Sequence, residues 1–165
     1  MRKLIVAAGA VLILAVVNFS IWQKENLLAD GRIVLLELAP VDPRSLMQGD
    51  YMALRYKLVN EVFGREDRKN LSDGHVIVTL DEKGVGTFKR FDDGAALAPN
   101  DVRMRYRIRS GQVKFATNAF FFQEGLGPNY QGARFGEFRV SEKGELLLTA
   151  LRGGTLELLG PQKKM

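Results

Sequence analysis

Two stretches of this chain gather residue types that could do chemistry. In the first, Arg103, Arg105, Arg107 and Arg109 alternate with Met104, Tyr106 and Ile108. On a strand, alternate residues share one face about 6.6 Å apart, so four guanidiniums would repel one another without partners. One reading is a solvated face paired with carboxylates on neighbouring strands, such as Glu137 or Glu145. The other is an anion-binding face for lipid headgroups, envelope phosphates or an acidic partner. The second stretch, NAFFFQEG at 118–125, sets Phe120, Phe121 and Phe122 in a row ahead of Gln123 and Glu124. Three consecutive rings cannot all face inward from one strand. At least one must be covered by the loop 125–132, by a membrane surface or by a partner. Glu124 stands at the edge of this apolar patch without the second group that acid–base work needs.

Other nucleophiles and bases are poorly placed. Ser45 precedes a Gly-Asp pair, Gly49-Asp50, as in serine–lysine hydrolases. In that pattern the serine stands farther ahead of the glycine, and the position holds Val41, which has no nucleophilic atom. A capping hydroxyl in the turn around Asp42-Pro43 suits Ser45 better. His75 is the single histidine and there is no cysteine, which excludes thiolate chemistry and sites built from several imidazoles. No metal-ligand spacing, phosphate loop or cofactor fingerprint appears, and no cofactor is expected. If the chain is an enzyme or ligand binder, Glu124, Asp50, Tyr130 and Arg134 are the residues that must converge in a pocket.

What positions these residues begins with an anchor. Residues 4–22, LIVAAGAVLILAVVNFSIW, carry no charge. As a helix they span roughly 28 Å, close to the ~30 Å hydrocarbon core of a bilayer. Trp22 suits the interface. Arg2 and Lys3 precede the run, whereas Lys24 and Glu25 nearly cancel after it, so the positive-inside rule puts the N-terminus in the cytoplasm and the rest outside. A cleaved signal peptide is the competing reading, but Ala8-Gly9-Ala10 falls too early for a cleavage site and cutting after Ala29 would put Leu27 at −3. Of the formal charge of +5, Arg2 and Lys3 supply two, leaving a mild +3 that does not indicate nucleic acid.

Residues 1–23 are thus read as a transmembrane anchor, 24–31 as a juxtamembrane linker, 32–160 as an extracytoplasmic domain and 161–165 as a tail. In the domain, period-two segments predict strands over 32–38, 51–58, 75–80, 85–91, 102–109, 112–117, 134–140 and 145–151. Hairpin turns are expected at 81–84, 110–111 and 141–144, each containing glycine, and 60–74 reads as a charged loop. This is the pattern of a mainly β protein, a small antiparallel sandwich or barrel-like domain behind one helix.

The segment GDYMALRY, with Gly49, Asp50, Tyr51, Leu54 and Tyr56, resembles the signature of the GDYxxLxY proteins, a bacterial family. The resemblance extends through LAPVDPRSLMQGDYMALRY (38–56), VKFATNAFFFQEG (113–125) and ARFGEFRV (133–140), most of the external domain. It implies a short membrane-anchored protein, often encoded beside a multi-pass membrane protein, and brings no catalytic residue to carry over. The expectation is an accessory or scaffolding protein of the cell envelope, in the inner membrane with its main domain periplasmic. It would hold a multi-pass membrane partner through the phenylalanines, the arginine face or both. The alternative is a periplasmic enzyme or ligand binder acting on an anionic envelope substrate.

Overall fold

A computed structural model describes residues 2–39, 47–48, 51–63 and 72–161. The chain opens with one helix, α1 (Arg2–Asp30). Its stretch Gly9–Asp30 is long and apolar enough to cross a membrane, and almost none of it packs against the rest of the protein. Val11, Leu12, Ile13, Leu14 and Trp22 are all exposed. A helix apolar on every side is stable only where something apolar surrounds it, which a bilayer supplies.

The helix runs straight through the segment expected as a linker. Leu27 is buried beneath the domain. The helix stops at Gly31, whose N–H donates to the Leu27 carbonyl at 3.1 Å. A Cβ on Gly31 would stand 2.3 Å from that carbonyl oxygen and 3.1 Å from the Arg139 Cβ. Only a residue without a side chain lets the chain turn into the domain this tightly. The Arg139 guanidinium donates to the Gly31 carbonyl at 3.0 Å and ties the corner to the sheet.

The domain is mainly β, with antiparallel sheets that include a curled half-barrel. Its strands among the described residues are β1 (Arg32–Glu37), β2 (Met47–Gln48), β3 (Tyr51–Ala53), β4 (Gly74–Leu80), β5 (Gly86–Phe91), β6 (Asp101–Arg109), β7 (Gln112–Lys114), β8 (Ala119–Phe121), β9 (Phe135–Val140) and β10 (Leu146–Arg152). They form three sheets, ordered β1-β9-β10, β2-β3-β8 and β5-β4-β6-β7. Single bridges join them: Leu38 to Tyr56, antiparallel, and Leu35 to Val85, parallel. The three hairpins fall where the turn residues put them. Ser110 and Gly111 both take positive φ (52° and 70°), as a two-residue hairpin turn of primed type requires.

Where the sheets close on one another, a single core forms around Val34, Leu36, Val76, Val78, Met104, Phe115, Phe138 and Leu151. Two expected strands end early. That over 51–58 stops at Ala53, and the chain turns into a short helix, α2 (Lys57–Val62), inside the stretch read partly as strand and partly as loop. Leu58, Val59, Val62 and Phe63 recur at helical spacing and pack on the core, so burial on one side of a helical turn won over strand continuity. The strand over 112–117 stops at Lys114; Ala116 adopts φ +54°, which no strand residue can hold. Beyond that break lies β8, read in the sequence as a patch rather than a strand.

Candidate functional site

The motif strand is largely structural. Gly49, Asp50 and Ser45 lie outside the described residues. From Tyr51 onward burial alternates: Met52, Leu54 and Tyr56 face in, Arg55 faces out, and Tyr51 is half-buried. Tyr56 is the pivot. Its ring meets Phe115 edge-on at 6.2 Å and Phe138 at 5.5 Å, and its hydroxyl donates to the Thr117 carbonyl at 3.1 Å. Burial disfavours the phenolate and pushes this phenol well above its ordinary pKa, so it keeps its proton and donates it in that hydrogen bond.

β8 pairs antiparallel with β3, setting Tyr51 opposite Phe121, Met52 opposite Phe120 and Ala53 opposite Ala119. Alternation then sorts the three phenylalanines. Phe120 and Phe122 turn inward to the two sides of Tyr130, each with its ring centroid 5.2 Å from the tyrosine's, one edge-on and one stacked. Tyr130 belongs to a 3-10 turn, Gly127–Tyr130, within the loop expected over 125–132, and it is buried. Phe121 points the other way and is 73% exposed, the most exposed of the large apolar residues seen outside α1. Its ring lies 5.8 Å from that of Tyr51. Gln123 and Glu124, just past the strand, are both exposed.

The arginine strand is the opposite case. Arg103 pairs with Asp92 at 2.7 Å, Arg105 with Glu145 at 2.6 Å, and Arg109 with Asp73 at 3.0 Å. Glu137 is engaged elsewhere: it accepts from Arg152 Nε at 2.5 Å and from the Thr149 hydroxyl. Asp73 also accepts from the Ile108 N–H at 2.8 Å, and that bond, with Arg109, holds its carboxyl below the usual range. Arg107 is exposed, with Lys114 as its register partner, and among the described residues it has no carboxylate partner. The face is largely neutralised.

The family model described as GDYXXLXY protein matches residues 13–151. The chain belongs to the GDYXXLXY protein family. No curated protein and no solved structure matches it significantly. The match takes in the second half of α1 together with nearly all of the β domain.

Three of the four residues named for an enzyme or ligand binder, Glu124, Tyr130 and Arg134, are among those described in this GDYXXLXY protein. Tyr130 is packed between two rings, while Glu124 and Arg134 are exposed. None of the three lines the open cleft of about 1200 Å³ that lies between the end of α1 and the domain. Asp50 lies outside the described residues. Among the described residues no cluster of His, Asp and Glu could hold a metal ion. The cleft itself has no single-motif signature. Trp22, Lys24, Asp30, Arg32, Leu97 and Lys143 reach it from separate parts of the chain, so no local pattern marks it.

One carboxylate near it is strongly organised. Asp101 is nearly buried and accepts from Lys89 at 2.9 Å, from the Thr79 hydroxyl at 2.8 Å and from the Ala98 N–H at 3.1 Å. These bonds hold its pKa down to about 2, the Lys89 bond contributing most. Asp101 closes the loop between β5 and β6, a structural task.

Proposed function

We propose that this protein is a membrane-anchored accessory or scaffolding protein of the cell envelope, its β domain outside the cytoplasm and its Tyr51–Phe121 corner holding a membrane partner. The observation that carries the reading is Phe121, 73% exposed on a three-residue strand that ends its sheet among the described residues. An open apolar ring beside a half-buried tyrosine is what an interface anchor looks like before it is covered. The charge asymmetry of Arg2 and Lys3 around the apolar run supports an extracytoplasmic domain.

Burying one phenylalanine contributes about 1.5–3 kcal/mol, a tenfold or greater change in affinity. A photocrosslinking phenylalanine analogue placed at Phe121 of the full chain in native membranes should capture a membrane protein. The same analogue at Thr87, exposed on β5, should not. Phe121→Ser should release the partner without lowering the melting temperature. Equal adducts at both positions, or none at Phe121, would reject the surface. A reporter active only in the periplasm, fused after Met165, tests the orientation separately: silence there would reject the location.

A further inference from the structure

The end of α1 carries the domain without slack. Leu27, buried against the domain, lies five residues past Trp22 in the same unbroken helix. At 1.5 Å per residue that is about 7.5 Å, while the polar layer of a bilayer is roughly 5–8 Å thick on each side. With Trp22 at the edge of the hydrocarbon, the part of the domain that flanks the helix is therefore level with the headgroups.

What stands there is an apolar tip. The loop between β5 and β6 reads DDGAALAPN at 92–100, and Ala95, Ala96, Leu97 and Ala98 are all exposed. Leu97 lines the cleft together with Trp22 and Lys24. The loop is built to hold that tip out. Arg32, two residues past the helix end, donates to the Pro99 carbonyl at 2.9 Å and lashes the loop to the helix exit. Asp101 accepts from the Ala98 N–H at 3.1 Å, and the Asp101 N–H returns a bond to the Ala98 carbonyl at 2.9 Å. Leu80 N–H donates to the Asn100 carbonyl at 2.9 Å. The buried carboxylate and these backbone groups are thus satisfied behind the tip, and the exposed apolar side chains of residues 95–98 face outward between Asp93, which pairs with Arg90, and Asn100.

Charge around the cleft agrees. Arg103, Asp101 and Glu145 are engaged with Asp92, Lys89 and Arg105. Lys24, Arg32 and Lys143 then face Asp30 and Glu142, a slight cationic excess at headgroup level.

We infer that loop 94–99 is a membrane-seating element: its Ala-Ala-Leu-Ala tip enters the lipid interface beside Trp22, with Lys24 and Lys143 facing lipid phosphates. The inference rests on the membrane-anchor reading of α1. Seating on helix and loop together fixes the domain's tilt, so that the Tyr51–Phe121 corner is presented at a set angle to the bilayer.

The chain has no cysteine, so single-cysteine variants of the full protein carry a spin label at one place only. We would label Leu14→Cys, Leu97→Cys and Gln112→Cys in nanodiscs of phosphatidylcholine with phosphatidylglycerol. Collision with oxygen, which favours lipid, would be compared with collision with a water-soluble nickel chelate. Gln112 is the aqueous reference, since β6 carries the chain about 26 Å from Asp101 to Arg109. The oxygen-to-nickel ratio should be high at 14, several-fold above the reference at 97, and lowest at 112. A lipid-like 14 with a 97 as aqueous as 112 overturns the inference alone. A 97 shielded from both reagents overturns it too, since protein would be covering the tip. An aqueous 14 removes the anchor, and this inference with it.

Discussion

β6 and β8 are both strands on which alternation leaves one face in need of cover, and they meet that need differently. On β6 the outward residues are arginines, and three of the four find carboxylates on other elements: Asp92 beyond β5, Glu145 ahead of β10 and Asp73 ahead of β4. On β8 the outward residue is Phe121, which stays 73% exposed with the Tyr51 ring at 5.8 Å beside it. A charge can be satisfied by a long side chain reaching across a sheet, whereas an aromatic ring needs a surface laid against it. The two inward rings of the same run obtain that surface from Tyr130, and the outward one does not. The difference is the reason for proposing the apolar strand, not the cationic one, as the partner surface.

The largest effect is expected at Tyr130. Tyr130→Ala removes the ring between Phe120 and Phe122 and should cost about 3–5 kcal/mol, as buried aromatic truncations do. Phe121→Ala, one residue away from both partners, should change stability by less than about 0.5 kcal/mol. Denaturant unfolding of the full chain in detergent, followed by circular dichroism, measures both. Equal losses would mean that Phe121 is a core residue and that the proposed surface is wrong.

A second contrast is between charges inside and outside. Glu137 is nearly buried and satisfies both Arg152 and Thr149. Glu137→Ala strands a partly buried guanidinium and should cost about 1–3 kcal/mol in the same unfolding assay. A loss under about 0.5 kcal/mol would show that Arg152 simply turns to solvent.

Acid should loosen the loop region next. Asp101 has a folded pKa of about 2 against an ordinary 3.8. Its stabilising contribution is therefore full above about pH 4 and is lost as pH falls through 2. Asp73 and Asp92 are shifted in the same direction. The melting temperature should fall between pH 4 and pH 2, and Asp101→Asn should make that fall shallower. An unchanged acid slope in the variant would move the pH dependence to the other carboxylates.

Local chemistry made much of this molecule legible. The apolar run gave the helix, and the glycine turns gave three hairpins with the right strands on each side, because turn type and period are set by neighbours in sequence. What stayed hidden depends on distant partners. The segment 56–63 reads as the end of a strand and the start of a charged loop until the core is there to bury Leu58 and Phe63 on one side of a helical turn. β8 is too short to read as a strand without β3, whose Tyr51 stands opposite Phe121 from far earlier in the chain. In the candidate surfaces, alternation required an outward phenylalanine, but only pairing with β3 selects Phe121. Glu145 as a partner of the arginines was open to view, whereas the choice of Arg152 by Glu137 came from pairing between β9 and β10. The cleft at the helix exit draws on four separate segments and had no local sign at all.

The smallest expected effect is the one that separates Arg105 from Arg107. Both project from β6, but Arg105 holds Glu145 at 2.6 Å while Arg107 sits exposed across from Lys114. Both arginines are well solvated, so the pair with Glu145 contributes only about 0–1 kcal/mol. Arg105→Gln should therefore lower stability slightly, and Arg107→Gln should leave it within error or raise it by relieving repulsion with Lys114. Binding should reverse the order. A guanidinium free of a carboxylate adds to the field that an acidic partner meets, so Arg107→Gln should slow association at low salt. Added salt should erase that effect, since the screening length falls to ~8 Å at physiological ionic strength. Association rates of the full protein with membranes holding the captured partner, read at two salt concentrations, decide it. If Arg105→Gln slows binding as much as Arg107→Gln does, the ion pair with Glu145 opens when the partner arrives, and the β6 face belongs to the interface after all.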